Sequence, residues 1–270
     1  MSTDSEAVAI ETAKLRRFEP RAISAVMSRE VANFRTFWKG TTFSSVLEPT
    51  IYLLAFGLGL GSTLVGDVGS IPYVEFVGTG MVATAVIFSS ALPAMFGTFV
   101  KHHFQRTYDA ILATPVDTEE LVTAEVLWIG LRSGFYGTFP LLVTIIFFGL
   151  DPKLGMLLVP IFCMVTAIGF AGFGVSVAAK AEKIDQFNYV TTLAITPLFL
   201  VAGTFFPIDQ LPDGFQVVAQ LNPLYQLVEL VRGAAFGFQT VDILRFCGLV
   251  AFSTALWRLA CVLMQRRLID

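Results

Sequence analysis

The chain has 270 residues, of which 55% are hydrophobic, 14% are charged and 26 are Phe, with a formal net charge of −3. A water-soluble domain of this length carries about a quarter charged residues, so the composition excludes a soluble enzyme and a disordered chain. Charge-free windows cover 49–66, 76–100, 133–150, 154–179 and 186–208. Each meets or approaches the roughly 18 to 20 residues that a helix needs to cross about 30 Å of hydrocarbon. An outer-membrane barrel is excluded as well, because its strands are about 10 residues long and alternate in polarity.

In chain order, residues 1–19 are polar and mixed in charge and read as a mobile cytoplasmic tail, with no cleavable leader. Residues 20–41 form an amphipathic helix. Ile23, Val26, Met27, Val31, Phe34, Phe37 and Trp38 recur at three- and four-residue steps, and Arg21, Arg29, Arg35 and Lys39 make a basic counter-face. Such a helix lies in the membrane interface with its cations toward anionic headgroups; an ordinary helix packed on the protein is the other reading. A transmembrane domain over 42–268 follows, with six spans at about 44–62, 73–98, 121–149, 155–178, 187–206 and 242–264. Arg132 interrupts the third and Arg258 the sixth, so each charge is buried among helices or snorkels to the interface.

Lys and Arg are distributed thirteen to three between the two sides, which places both termini in the cytoplasm. Of the outer connections, 63–72 and 150–154 are short. The third, 207–241, is long, apolar and punctuated by Pro207, Pro212 and Pro223. Helices over Pro212–Leu221 and Pro223–Ala235 fit between those prolines and are too short to span, so they are re-entrant or interfacial.

No G-x-x-x-x-G-K-[ST] motif is present, so the chain builds no P-loop of its own. Gly57, Gly59 and Gly61, the pair Gly130 and Gly134, and the pair Gly233 and Gly237 read as close helix-packing positions. His102 and His103 are adjacent, so they diverge by about 100° on a helix and share no metal readily. Cys163, Cys247 and Cys261 fall in apolar segments at unrelated spacing, giving no disulfide framework and no metal site. Nucleophile, base and orienting group cluster nowhere.

The cytoplasmic stretch Lys101–Val116 is the most specific feature. Phe104, Tyr108, Ile111 and Leu112 share one helical face, and Pro115 stops the helix. It is either a connector lying on the membrane or a rod that docks into a cytosolic partner. Arg132 is the most deeply placed charge and needs a carboxylate or helix carbonyls, unless it contacts substrate; Glu125, two turns earlier, is a distant candidate partner. Glu229 and Arg232, three apart on the second outer helix, pair locally.

Three motifs, R-T-Y-D-A-I-L-A-T-P-V at Arg106–Val116, G-T-F-F-P-I-D-Q-L-P at Gly203–Pro212 and L-N-P-L-Y-Q-L-V-E-L-V-R-G at Leu221–Gly233, carry a resemblance. With the basic amphipathic helix, they make residues 21–268 similar to the ABC-2 type permeases, the membrane subunits of ATP-driven exporters. Within that family the chain looks most like permeases of nodulation-factor (lipo-oligosaccharide) exporters and uncharacterised bacterial relatives. The resemblance implies an all-α integral membrane protein with six transmembrane helices, an N-terminal interfacial helix, a cytoplasmic coupling helix and two re-entrant outer helices between spans 5 and 6. Coupling to the ATPase would rest on Arg106, Thr107, Tyr108, Asp109, Ile111, Leu112, Thr114 and Pro115. The interfacial helix would contribute Arg29, Glu30, Phe34 and Arg35. The outer gate would comprise Phe205, Phe206, Pro207, Pro212, Asn222, Pro223, Glu229 and Arg232.

The resemblance also implies a homodimer, or a pair with a similar permease, working with two cytosolic P-loop ATPases in a bacterial inner membrane. Spans 1, 2 and 5 would line a route for an amphipathic or lipid-linked substrate. ATP and Mg would bind in the ATPase; this chain would hold no cofactor or metal, catalyse nothing itself and bind no nucleic acid. The competing classes are an ion-coupled carrier, which needs mid-membrane carboxylates and an inverted repeat, and a scaffold or lipid-acting membrane enzyme.

Overall fold

A computed structural model of the chain describes residues 19–60, 71–210 and 212–269. The expected tail, apart from Glu19, and most of the 63–72 connection lie outside the described residues. The described residues are helical, with no β-strand.

Helix α1 runs Pro20–Leu54, with proline in its first turn, where the missing N–H is no loss, and continues as π-helical turns over Ala55–Leu60. The interfacial helix and first span expected as separate elements are therefore one rod. Gly40 is the weakest helix former at their junction, and about 1 kcal/mol of propensity does not break a helix that is propagating. Ile23, Val26 and Met27 pack on the bundle, while Phe37 and Trp38 are exposed.

Helix α2 (Tyr73–Phe99) is extended by π-helical turns over Val100–Phe104. Next comes the short α3 (Thr107–Leu112). Helix α4 (Thr118–Gly137) opens with a capping box formed by Asp117 and Glu120. It breaks at Thr138 and resumes as α5 (Phe139–Phe148). Arg132 sits inside the unbroken α4, because a charge leaves the backbone ladder intact, whereas Pro140 removes a donor from it.

Helix α6 (Val159–Lys180) occupies the centre, packed against α2, α4 and an eleventh helix, α11 (Thr240–Ile269). The small residues between α4 and α6 do what their spacing implied: a Cβ on Gly134 would lie 2.9 Å from the Met164 Cα. Gly172 of α6 meets the α11 backbone just as closely, at 2.8 Å from Leu256. Gly237, by contrast, packs against nothing; its φ of +141° turns the chain between Phe236 and α11.

The fifth expected span is shorter than its apolar run. Helices α7 (Gln186–Val190) and α8 (Thr196–Leu200), joined by π-helical turns, end at Leu200, and 201–207 is non-helical. Gly203 takes φ +72° there, and its carbonyl accepts from Arg232 Nη2 at 2.8 Å. The two outer helices, α9 (Asp213–Leu221) and α10 (Pro223–Phe236), match expectation to within one residue. Among the described residues, four helical segments are long and apolar enough to cross a membrane: Tyr73–Phe104, Thr118–Phe148, Leu154–Lys180 and Thr240–Leu268.

Candidate functional site

The Lys101–Val116 segment is built around a left-handed residue. Arg106 has φ 48° and ψ 31°, and it is the only non-glycine residue with positive φ among those described. That conformation costs about 1–2 kcal/mol and reverses the chain between the end of α2 and α3. It also separates Phe104 from the face it was expected to share: Phe104 stays 68% exposed before the turn, against the edge of Phe99. Tyr108 is 1% exposed, and Ile111 and Leu112 pack beside it on Val26, Leu121 and Met264. Helix α3 ends at Leu112, and Thr114 closes the turn by donating to the Ile111 carbonyl at 2.6 Å, ahead of the exposed Pro115. Arg106 and Asp109 face solvent, and Thr107 donates to the Gln105 side chain at 3.4 Å.

Beneath α3 lies a buried ion cluster drawn from four elements. Lys101 Nζ is 2.8 Å from Glu125 Oε1 and 2.9 Å from Glu30 Oε1. The Tyr108 hydroxyl donates to Glu125 Oε2, and Arg29 Nη1 reaches Glu30 at 2.9 Å. Burial beside that carboxylate pushes the Tyr108 phenol well above its ordinary value, so it remains a donor. A second tie is the Glu120 side chain, which accepts from the Glu19 N–H at 2.6 Å and from the Asp117 N–H at 3.0 Å. Phe34 packs edge-on to Trp128 at 5.6 Å, and Arg35 is exposed. Paired charge thus ties α3 to α1, α2 and α4, and separating buried partners is costly.

Glu125 is fully used here, which removes it as a partner for Arg132. Arg132 has one weak bond, Nη2 to the Ser89 carbonyl at 3.5 Å, and its buried Nε has none. The role of Lys101 was not foreseen: its sequence context marks a cytoplasmic charge, and only the fold shows it enclosed by two carboxylates.

The cluster at the opposite end is organised by Arg232. Besides Gly203, its guanidinium contacts Glu229 at 3.3 Å and lies 3.8 Å from the Phe76 ring centre. Glu229 also meets Arg245 at 3.1 Å, and Arg245 meets Asp242 at 2.7 Å. Asn222 joins two helix ends, donating to the Leu198 carbonyl at 2.7 Å and accepting from the Leu224 N–H at 3.0 Å. Phe205 contacts Phe56 and Phe199, and Tyr73 donates to its carbonyl at 3.3 Å. Phe206 and Pro207 are half-buried, Pro212 is exposed, and Pro223 opens α10. Asp242 and Arg245 lie in the stretch read as the start of a span, so their part in this cluster was not legible.

Among the described residues, no group of three or more His, Cys, Asp or Glu is placed to hold a metal ion. The arrangement is that of a helical membrane protein with a short helix locked to its bundle at one end and an ion-paired helical hairpin at the other. Residues 21–236 match the family described as ABC-2 type transporter, and the chain belongs to that family, as a transmembrane permease of ABC-transporter type. It is 32% identical over 237 residues to Nodulation protein J of Rhizobium leguminosarum bv. trifolii, covering 86% of this chain and 90% of that protein. Identity to Nodulation protein J of Sinorhizobium fredii is 33% over 239 residues, with the same coverage. The Inner membrane transport permease YadH of Escherichia coli is 26% identical over 246 residues, 91% of this chain and 95% of that protein. Membership implies an ABC ATPase as partner.

Proposed function

We propose that this chain is the membrane half of an ATP-driven exporter, working as two permeases with two cytosolic P-loop ATPases. In this reading the second half of α1 and the α7–α8 segment supply two further spans, making six, with both termini cytoplasmic in the inner membrane. The α7–α8 segment covers 15 residues, about 22 Å, and stops short of the outer surface because its irregular end is enclosed by protein. The cargo is an amphiphile such as a lipid-linked saccharide, a lipid or a drug, and it moves outward. ATP and Mg bind in the partner, and this chain does no chemistry.

One observation carries the reading: α3 is bolted to the bundle through Tyr108, Glu125, Lys101 and Glu30 while Arg106 and Asp109 stay exposed. A helix so arranged transmits force from a docked subunit and shifts the bundle between two accessible states. Co-purification from the native host in mild detergent, read by mass spectrometry, tests it. A P-loop ATPase in comparable amount is expected; recovery of the permease alone, while other membrane complexes survive, would refute it.

A further inference from the structure

A cavity of about 790 Å³ opens between α1, α2 and the middle of α4. Its α1 wall carries Phe37 and Pro49 but is mostly polar, with rows of four-residue spacing, Thr36, Gly40, Ser44 and Glu48 beside Thr41 and Ser45, a poor surface for lipid tails. Its α2 wall is mainly apolar, including Phe88, Leu92 and Phe96. Arg132 and Lys39 also line it. Of the buried polar side-chain atoms left without a partner among the described residues, two belong to this lining, Arg132 Nε and Thr84 Oγ1. No carboxylate among the described residues lies within ion-pair distance of Arg132, and the Ser89 carbonyl it touches already accepts from Ser133 at 2.7 Å. An intramembrane guanidinium held this loosely lacks the anion that such a group needs.

We propose that this cavity binds the anionic headgroup of an amphiphile, a phosphate, sulfate or carboxylate on an apolar tail, with Arg132 as the direct anion contact. That this amphiphile is the transported cargo rests on the exporter reading above; the site itself does not. Arg132 lies seven residues beyond Glu125, about 10 Å deeper than the ion cluster under α3, so the headgroup sits within the bundle rather than on its rim. The apolar α2 wall receives the tail, and the hydroxyl rows of α1 the polar remainder of the head. The volume falls in the range of ligand pockets and exceeds what a lone inorganic ion fills.

The test uses the full chain in dodecyl maltoside, titrated with dodecyl phosphate and read by native mass spectrometry. Saturable binding is expected, with inorganic phosphate competing only at far higher concentration. R132Q should weaken binding at least about tenfold, as loss of a charge-assisted bond does. K39Q, on an exposed stretch of α1, should weaken it about two- to threefold, and E48Q, which removes a competing carboxylate, should strengthen it by a similar factor. If R132Q fails to fold, the opposite signs of K39Q and E48Q decide the matter. Equal binding by wild type and all variants, or competition by inorganic phosphate at the concentration of dodecyl phosphate, would overturn the proposal. ATPase co-purification is scored separately: selective binding without an ATPase supports the site and sinks the exporter reading, and an ATPase with unselective binding does the reverse.

Discussion

Lys101 at the end of α2 meets Glu125 of α4 at 2.8 Å inside the bundle. Because Glu125 also receives the Tyr108 hydroxyl, one carboxylate joins α3 to the end of α2, in addition to the apolar packing of Tyr108, Ile111 and Leu112. Removing one member of such a cluster leaves another charge buried and unpaired, which costs about 3–5 kcal/mol. K101M is expected to lose that much, seen as a fall in the melting temperature of the detergent-solubilised protein. The double variant K101M/E125Q should recover part of it, and full additivity of the two single effects would show that the pair is not coupled.

Tyr108 separates packing from hydrogen bonding. Y108F keeps the ring in the cluster around Leu121 and Met264 but drops the bond to a charged acceptor, for an expected loss of about 1.5–3 kcal/mol. Y108A adds the cavity term, about 3–5 kcal/mol in all. If Y108F melts with the wild type, the hydroxyl is not part of the anchor.

Arg106 offers a stability test and a docking test with opposite signs. Glycine adopts φ 48° freely, so R106G should stabilise the isolated permease by about 1 kcal/mol. Charge reversal at Arg106 or Asp109 should leave insertion intact and uncouple or release the ATPase. ATP hydrolysis in reconstituted complexes and melting of the permease alone measure the two effects; normal coupling in both reversal variants would remove α3 from the docking surface.

At the other end, R232K keeps the charge but not the fork that reaches Gly203 and Glu229 while lying on Phe76. It should loosen residues 201–207, raising the labelling rate of a cysteine placed at Phe206 about tenfold while ATPase binding is unchanged. An unaltered labelling rate would mean that this segment is held by Asn222 and Tyr73 instead.

The steric role of the small residues is testable at Gly134, whose Cβ position lies 2.9 Å from backbone. G134V should force α4 and α6 apart and destabilise the bundle by about 1–3 kcal/mol, whereas G97A, which meets nothing within 4 Å, should leave the melting temperature unchanged or raise it.

By itself the sequence determined the helical membrane class, the two short helices between their prolines, and a short amphipathic helix with Tyr108, Ile111 and Leu112 on one face. These follow from local quantities: apolar run length, proline position and three- to four-residue periodicity. The family followed from the three motifs. The continuity of α1, the break at Thr138 and the end of α8 at Leu200 were decided by the tertiary structure. Hydropathy measures transfer into lipid, and it does not say where a proline removes a donor or where an arginine 29 residues away captures the Gly203 carbonyl. The same limit applies to charge. Lys101, Glu30 and Glu125 read singly as charges near span ends, but their pairing joins residues 24 and 71 positions apart, a relation set by the packing of α1, α2 and α4.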